Sequence, residues 1–157
     1  MTVLRIAAFS DGDKGGNPAG IWIGDDLPPP SKMQAIAADV GFSETAFAAP
    51  EGDAWRVRYF SPRCEVPFCG HATIALGAAL ALQHGGRTFK LKLNEADISV
   101  AGHQDGQTIA AALQSPPTRS RPIDRSAPNM TIADTKVAVQ TIRLPTHCAM
   151  STCEPPP

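Results

Sequence analysis

No aromatic side chain occurs after residue 115: the six Phe, two Trp and one Tyr all precede it, and the last is Phe89. A segment without such anchors cannot build a core of its own. This one also carries prolines at 116, 117, 122, 128, 145, 155, 156 and 157, more than half of the 15 in the chain. Only Ile132 to Leu144 has the pattern of a strand or short helix. We therefore expect one folded domain over residues 1–114 and a proline-rich irregular tail over 115–157, either disordered or read from a shifted or shortened frame.

An excess of charge of one sign is also missing. Lys and Arg number 14 against 15 Asp and Glu, for a formal net charge of -1, and no basic stripe stands out. Nothing here would hold a polyanion, so no nucleic-acid partner and no membrane partner are expected. The most apolar stretch, Ala72 to Leu82, is shorter than the ~20 residues of a bilayer span. Met1-Thr2-Val3-Leu4-Arg5 lacks a charged region leading into an apolar one, so the expectation is a soluble, cytoplasmic protein. The cysteines, Cys64, Cys69, Cys148 and Cys153, do not have the paired Cys-x-x-Cys spacing of a zinc site. Reduced thiols and no metal are expected.

What is present is a clear set of periodicities. Val3 to Phe9 and Ala19 to Gly24 read as strands, separated by a turn-rich loop from Ser10 to Pro18. Ser31 is placed to cap a helix whose apolar positions Met33, Ile36, Ala37 and Val40 fall on one face, with Gly41 as its stop. Thr45 to Ala49 and Trp55 to Ser61 read as strands, the second with Trp55, Val57 and Tyr59 on one face. An apolar helix follows from His71 to about His84, stopped by Gly85-Gly86, and then strands near Thr88 to Leu93, Asp97 to Ala101 and Gln107 to Leu113. This mixture indicates an α+β domain, a curled mixed sheet wrapped on a central apolar helix.

The entry to that helix, Glu65-Val66-Pro67-Phe68-Cys69-Gly70-His71-Ala72-Thr73, is the strongest local candidate for a site. A helix apolar on every side is buried, and the unpaired N–H groups of its first turn are buried with it at the positive end of the helix dipole. A substrate carboxylate suits that position. Taken alone, the commoner reading is a core helix capped by its own loop.

Three motifs in order carry a resemblance. Gly16-Asn17-Pro18-Ala19-Gly20, Gly41-Phe42-Ser43-Glu44-Thr45-Ala46-Phe47, and Arg58-Tyr59-Phe60-Ser61-Pro62 leading into Glu65 to Thr73 look like the PhzF-type family, named for phenazine biosynthesis. The resemblance covers roughly residues 1–125 and the N-terminal half of the family pattern. It implies the diaminopimelate-epimerase fold, in which two similar domains, each a sheet curled round a central helix, face each other across the active-site cleft. It also implies a cofactor-independent isomerase or epimerase that moves a proton on a small carboxylate-bearing metabolite.

By that resemblance Glu44 is the general acid/base, and His71 hydrogen-bonds the substrate near the reacting carbons. Substrate contacts would come from Asn17, Ser43, Cys69, Gly70, Ala72 and Thr73, with Asn17 also readable as a plain turn residue. In related racemases and epimerases of this fold a cysteine before the glycine is one of two thiol bases, and a thiol at a helix N-terminus has a lowered pKa. No second such thiol is identifiable, so Glu44 is preferred as the base and Cys69 as cleft lining. The family's C-terminal motifs, including its second catalytic aspartate, are absent from the sequence. Two readings follow: an isomerase whose second domain is missing, or a truncated, catalytically silent remnant acting as an interaction module. An uncovered cleft face would leave an apolar patch, so self-association, as a homodimer, is expected in either case.

Overall fold

The computed structural model describes residues 2–11, 14–106 and 108–114, together with a strand at 138–143. The expectations for the remainder of the tail, Cys148 and Cys153 included, lie outside the described residues. Strands β1 (Leu4–Asp11) and β2 (Lys14–Ile23) form an antiparallel hairpin registered from Leu4 opposite Ile21 to Asp11 opposite Lys14. The loop expected over Ser10 to Pro18 is therefore largely strand. β2 meets its other neighbour only from Gly20 to Ile23, so Pro18 sits where β2 has one free edge, a position that tolerates a residue without an N–H.

Helix α1 (Pro30–Val40) crosses from β2 to the parallel β3 (Thr45–Glu51). Ser31 does not cap it. The helix starts two residues earlier than that cap implies, with Pro30 as its first residue and Pro29 flanking it, because the fixed φ of proline already suits the first helical position. Met33 and Ala37 are buried, and Gly41 ends the helix with a φ of 71°, donating its N–H to the Ala37 carbonyl at 3.1 Å.

β3 pairs antiparallel with β4 (Ala54–Phe60), which carries the short β5 (Glu65–Val66) on part of its edge. Helix α2 (Gly70–His84) then crosses to β6 (Arg87–Lys92), parallel to β4. Antiparallel pairing continues through β7 (Asp97–Asp105), β8 (Thr108–Leu113) and β9 (Ala138–Arg143). β9 lies against β1, so the sheet rolls round α2.

The roll explains the burial. Every residue of α2 from Ala72 to Ala81 is buried, and only Leu82 of its expected apolar run emerges. Each fully buried Leu or Ile contributes about 1.5–3 kcal/mol. The tightest contact is with β7, where a Cβ on Gly77 would lie 2.5 Å from a Val100 methyl and one on Gly102 would lie 2.5 Å from the Gly77 carbonyl oxygen. Val57 and Tyr59 of β4 face α2, while Phe60 joins Trp22, Phe47, Met33 and Ala37 in a second cluster under α1. The fold is α+β, with a mixed sheet curled about a central apolar helix.

Candidate active site

Three chain segments meet at the N-terminal end of α2. The left-handed Gly41 turns the chain out of α1, and the Glu44 carbonyl accepts the Gly20 N–H at 3.1 Å, which fixes Glu44 at the point where β3 joins β2. Gly20 has no room for a side chain there: a Cβ would sit 2.6 Å from the Thr45 hydroxyl oxygen. The second segment is Cys69-Gly70-His71, with Cys69 flanking the helix and Gly70 its first residue. The third is Pro18 on the free edge of β2.

His71 stands between the other groups. Its Nε2 lies 3.5 Å from a Glu44 carboxylate oxygen and 3.4 Å from the Ser43 hydroxyl, and its Nδ1 lies 3.1 Å from the Cys69 sulfur. The His71 and Glu44 side chains are 11% and 22% exposed, so both are largely covered by protein. Burial holds the imidazole pKa below its ordinary 6.5, against the opposing pull of the Glu44 charge and the Pro18 carbonyl. His71 is therefore neutral at pH 7.

Cys69 behaves unlike an exposed helix-terminal thiol. The N–H groups of Ala72 and His71 approach the sulfur and favour thiolate, without closing a full side-chain cap. Burial outweighs them, with the Glu44 carboxylate acting in the same direction, and the thiol is pushed up to about 11. A protonated thiol lines the site.

The expected substrate contacts fall into three groups. Ser43, Cys69 and Gly70 line the mouth, and a Cβ on Gly70 would meet nothing within 4 Å. Asn17 is an exposed strand residue opposite Ala8. Ala72 is buried and directs its N–H toward Cys69. Thr73 departs from the expectation that it offers a donor to substrate: it is buried, its N–H donates to the Cys69 carbonyl at 3.0 Å, and its hydroxyl donates to the same carbonyl at 2.7 Å. With that proton committed, the buried Tyr59 hydroxyl donates to Thr73 Oγ1 at 2.7 Å. The chain Tyr59–Thr73–Cys69 thus holds the turn that carries Cys69 and His71.

A second support lies upstream. Arg58 makes a two-pronged ion pair with Glu65 at 2.7 and 2.5 Å, and Asn94 donates to Glu65 at 2.6 Å. Arg56 binds the Asn94 side chain and donates to the Lys92 carbonyl at 2.9 Å. This ties β4, β5 and the β6–β7 turn together just before the Pro67-Phe68-Cys69 approach. Tyr59, Pro18 and the Arg56–Asn94 arm escaped sequence reasoning. Tyr59 left a signal as an inward strand position beside Val57, and both it and Pro18 fall inside motifs that carry the family resemblance.

Comparison with known proteins places the chain in a family. The phenazine biosynthesis-like PhzC-PhzF family pattern matches residues 6–154. The chain belongs to that family. An uncharacterized isomerase of Pseudomonas aeruginosa is 44% identical over 81 residues, covering 48% of this chain and 29% of its own length. The uncharacterized isomerase YfhB of Bacillus subtilis is 33% identical over 120 residues, 73% of this chain and 41% of its own. A PhzF-family crystal structure from Enterococcus faecalis superposes with a TM-score of 0.60 at 27% identity, over 71% of this chain and 44% of that one. This chain thus spans less than half the length of these relatives. The family match runs past residue 125, where the motif resemblance stops, and takes in β9.

Proposed function

We propose that this PhzF-family chain carries one wall of a cofactor-independent isomerase or epimerase site that moves a proton on a small carboxylate-bearing metabolite. The observation that carries the reading is the convergence of Glu44 and neutral His71 at the mouth of α2. Glu44 is the general acid/base: the substrate C–H bond breaks, its electron pair passes into adjacent unsaturation, and the carboxyl returns the proton at another carbon or face. Neutral His71 hydrogen-bonds the substrate next to that centre. The open space beside Gly70, at the positive end of the helix dipole, suits the substrate carboxylate.

Such a site needs a facing wall, and pairing with a second copy or another chain would supply it. Among the described residues only Phe9 and Leu82 are exposed large hydrophobic side chains, so the apolar patch expected of an uncovered cleft face is not seen among them. Solution mass, by light scattering across a concentration series, tests pairing directly.

The reaction is tested by incubating the chain in deuterium oxide with a panel of cyclic and amino carboxylates. Exchange into substrate that falls at least about a hundredfold in Glu44→Gln supports the reading. The alternative, an interaction module without turnover, predicts no enzyme-dependent exchange with any member of the panel.

A further inference from the structure

We propose that Glu44, Cys69 and His71 form a binding site for a thiophilic divalent cation, zinc above all, and that occupation takes the proton-transfer groups out of use. The inhibitory part rests on the function proposed above; the binding part does not. One sulfur, one imidazole nitrogen and one carboxylate oxygen from these residues all lie within 4.8 Å of one another. A tetrahedral zinc ion, with sulfur near 2.3 Å and nitrogen near 2.0 Å, holds such ligand atoms about 3.5 Å apart. Of the present separations, the 3.5 Å from Glu44 to Nε2 equals that value and the 3.1 Å from Cys69 Sγ to Nδ1 is slightly shorter.

An ion takes one ring nitrogen, so the ligand on the other side of the ring must swing inward by on the order of 1 Å, within reach of a side-chain torsion. Three protein ligands would then leave one position open at the mouth. Thiolate with imidazole selects zinc over magnesium or calcium, which prefer oxygen alone. The turn is already held by the Thr73 bonds to the Cys69 carbonyl. The thiol surrenders its proton to the solvent as the metal binds, as any cysteine ligand must.

The test uses the full chain with Cys64→Ser, Cys148→Ser and Cys153→Ser, leaving Cys69 as its single thiol, titrated with cobalt(II) without reductant. The expected result is a near-ultraviolet thiolate-to-cobalt absorption that zinc abolishes by displacement. It should be absent in Cys69→Ser and weakened at least about tenfold in affinity by Glu44→Gln and by His71→Ala, all three folded by circular dichroism. No such band, or unchanged affinity in Glu44→Gln and His71→Ala, overturns the site. Deuterium exchange on the same samples separates the two claims. A cobalt band from a chain that shows no exchange when metal-free leaves the metal site and removes the proposed reaction, while metal-free exchange that saturating zinc leaves unchanged overturns the inhibition.

Discussion

His71 and Glu44 meet at 3.5 Å across two segments brought together by the start of β3 and the start of α2. Burial disfavours charge on the ring, the carboxylate favours it, and burial prevails, so the imidazole titrates below 6.5. Glu44→Gln removes the opposing charge, and the His71 pKa should fall further. Ring-proton NMR titration of both proteins measures this, and a rise in the variant would contradict the geometry. The same shift has a stability consequence. With the folded pKa below the unfolded one, the unfolded chain binds more protons in the window from 6.5 downward, so stability is full above pH 6.5 and falls as pH drops through the window. Urea midpoints should decline more steeply below pH 6.5 in the wild type than in His71→Asn.

Cys69 supplies a second reading of the same electrostatics. Its thiol is raised to about 11 by burial first and by Glu44 second. In the single-thiol background, iodoacetamide alkylation should climb about tenfold per pH unit toward that midpoint, because only the thiolate reacts. Glu44→Gln should move the midpoint down. A wild-type midpoint at or below the ordinary 9.0 would show that the helix N–H groups, not burial, dominate.

The two helices and the wholly apolar character of α2 were legible because they rest on local patterns: the spacing of Met33, Ile36, Ala37 and Val40, and the uninterrupted run after His71. The hairpin of β1 and β2 was not, because Gly15-Gly16-Asn17-Pro18 reads as turn chemistry, and the single-sided pairing that lets Pro18 lie in a strand is a tertiary fact. Start points were misjudged where two residues competed, as Pro30 and Ser31 did for the start of α1. In the site, Glu44 and His71 were marked by motif. The hydrogen-bond commitments of Thr73 and the sign of the Cys69 shift depend on what packs around them, and sequence spacing carries no record of that.

Gly70 offers a test that separates folding from binding. It opens α2 with nothing within 4 Å of a prospective Cβ. Gly70→Ala should fold with unchanged or slightly raised stability, since Ala exceeds Gly in helix propensity by up to about 1 kcal/mol. The added methyl would project into the space assigned to substrate, so exchange activity should fall at least about tenfold through KM. Unimpaired exchange at a normal melting temperature would move the substrate away from Gly70.

The Tyr59–Thr73–Cys69 chain predicts a coupling between two buried hydroxyls. Tyr59→Phe removes the donor to Thr73 and should cost about 1 kcal/mol in urea unfolding. Thr73→Val leaves the Tyr59 hydroxyl buried without its partner and removes one bond to the Cys69 carbonyl, for about 1–3 kcal/mol. Because the two changes share one bond, the double variant should lose less than the sum, by about 0.5 kcal/mol or more. If the bonds also aim the turn, Thr73→Val should shift the His71 titration while Tyr59→Phe shifts it less, since only Thr73 touches the Cys69 backbone. Strict additivity, or a His71 pKa indifferent to Thr73→Val, would reduce the chain to ordinary core packing.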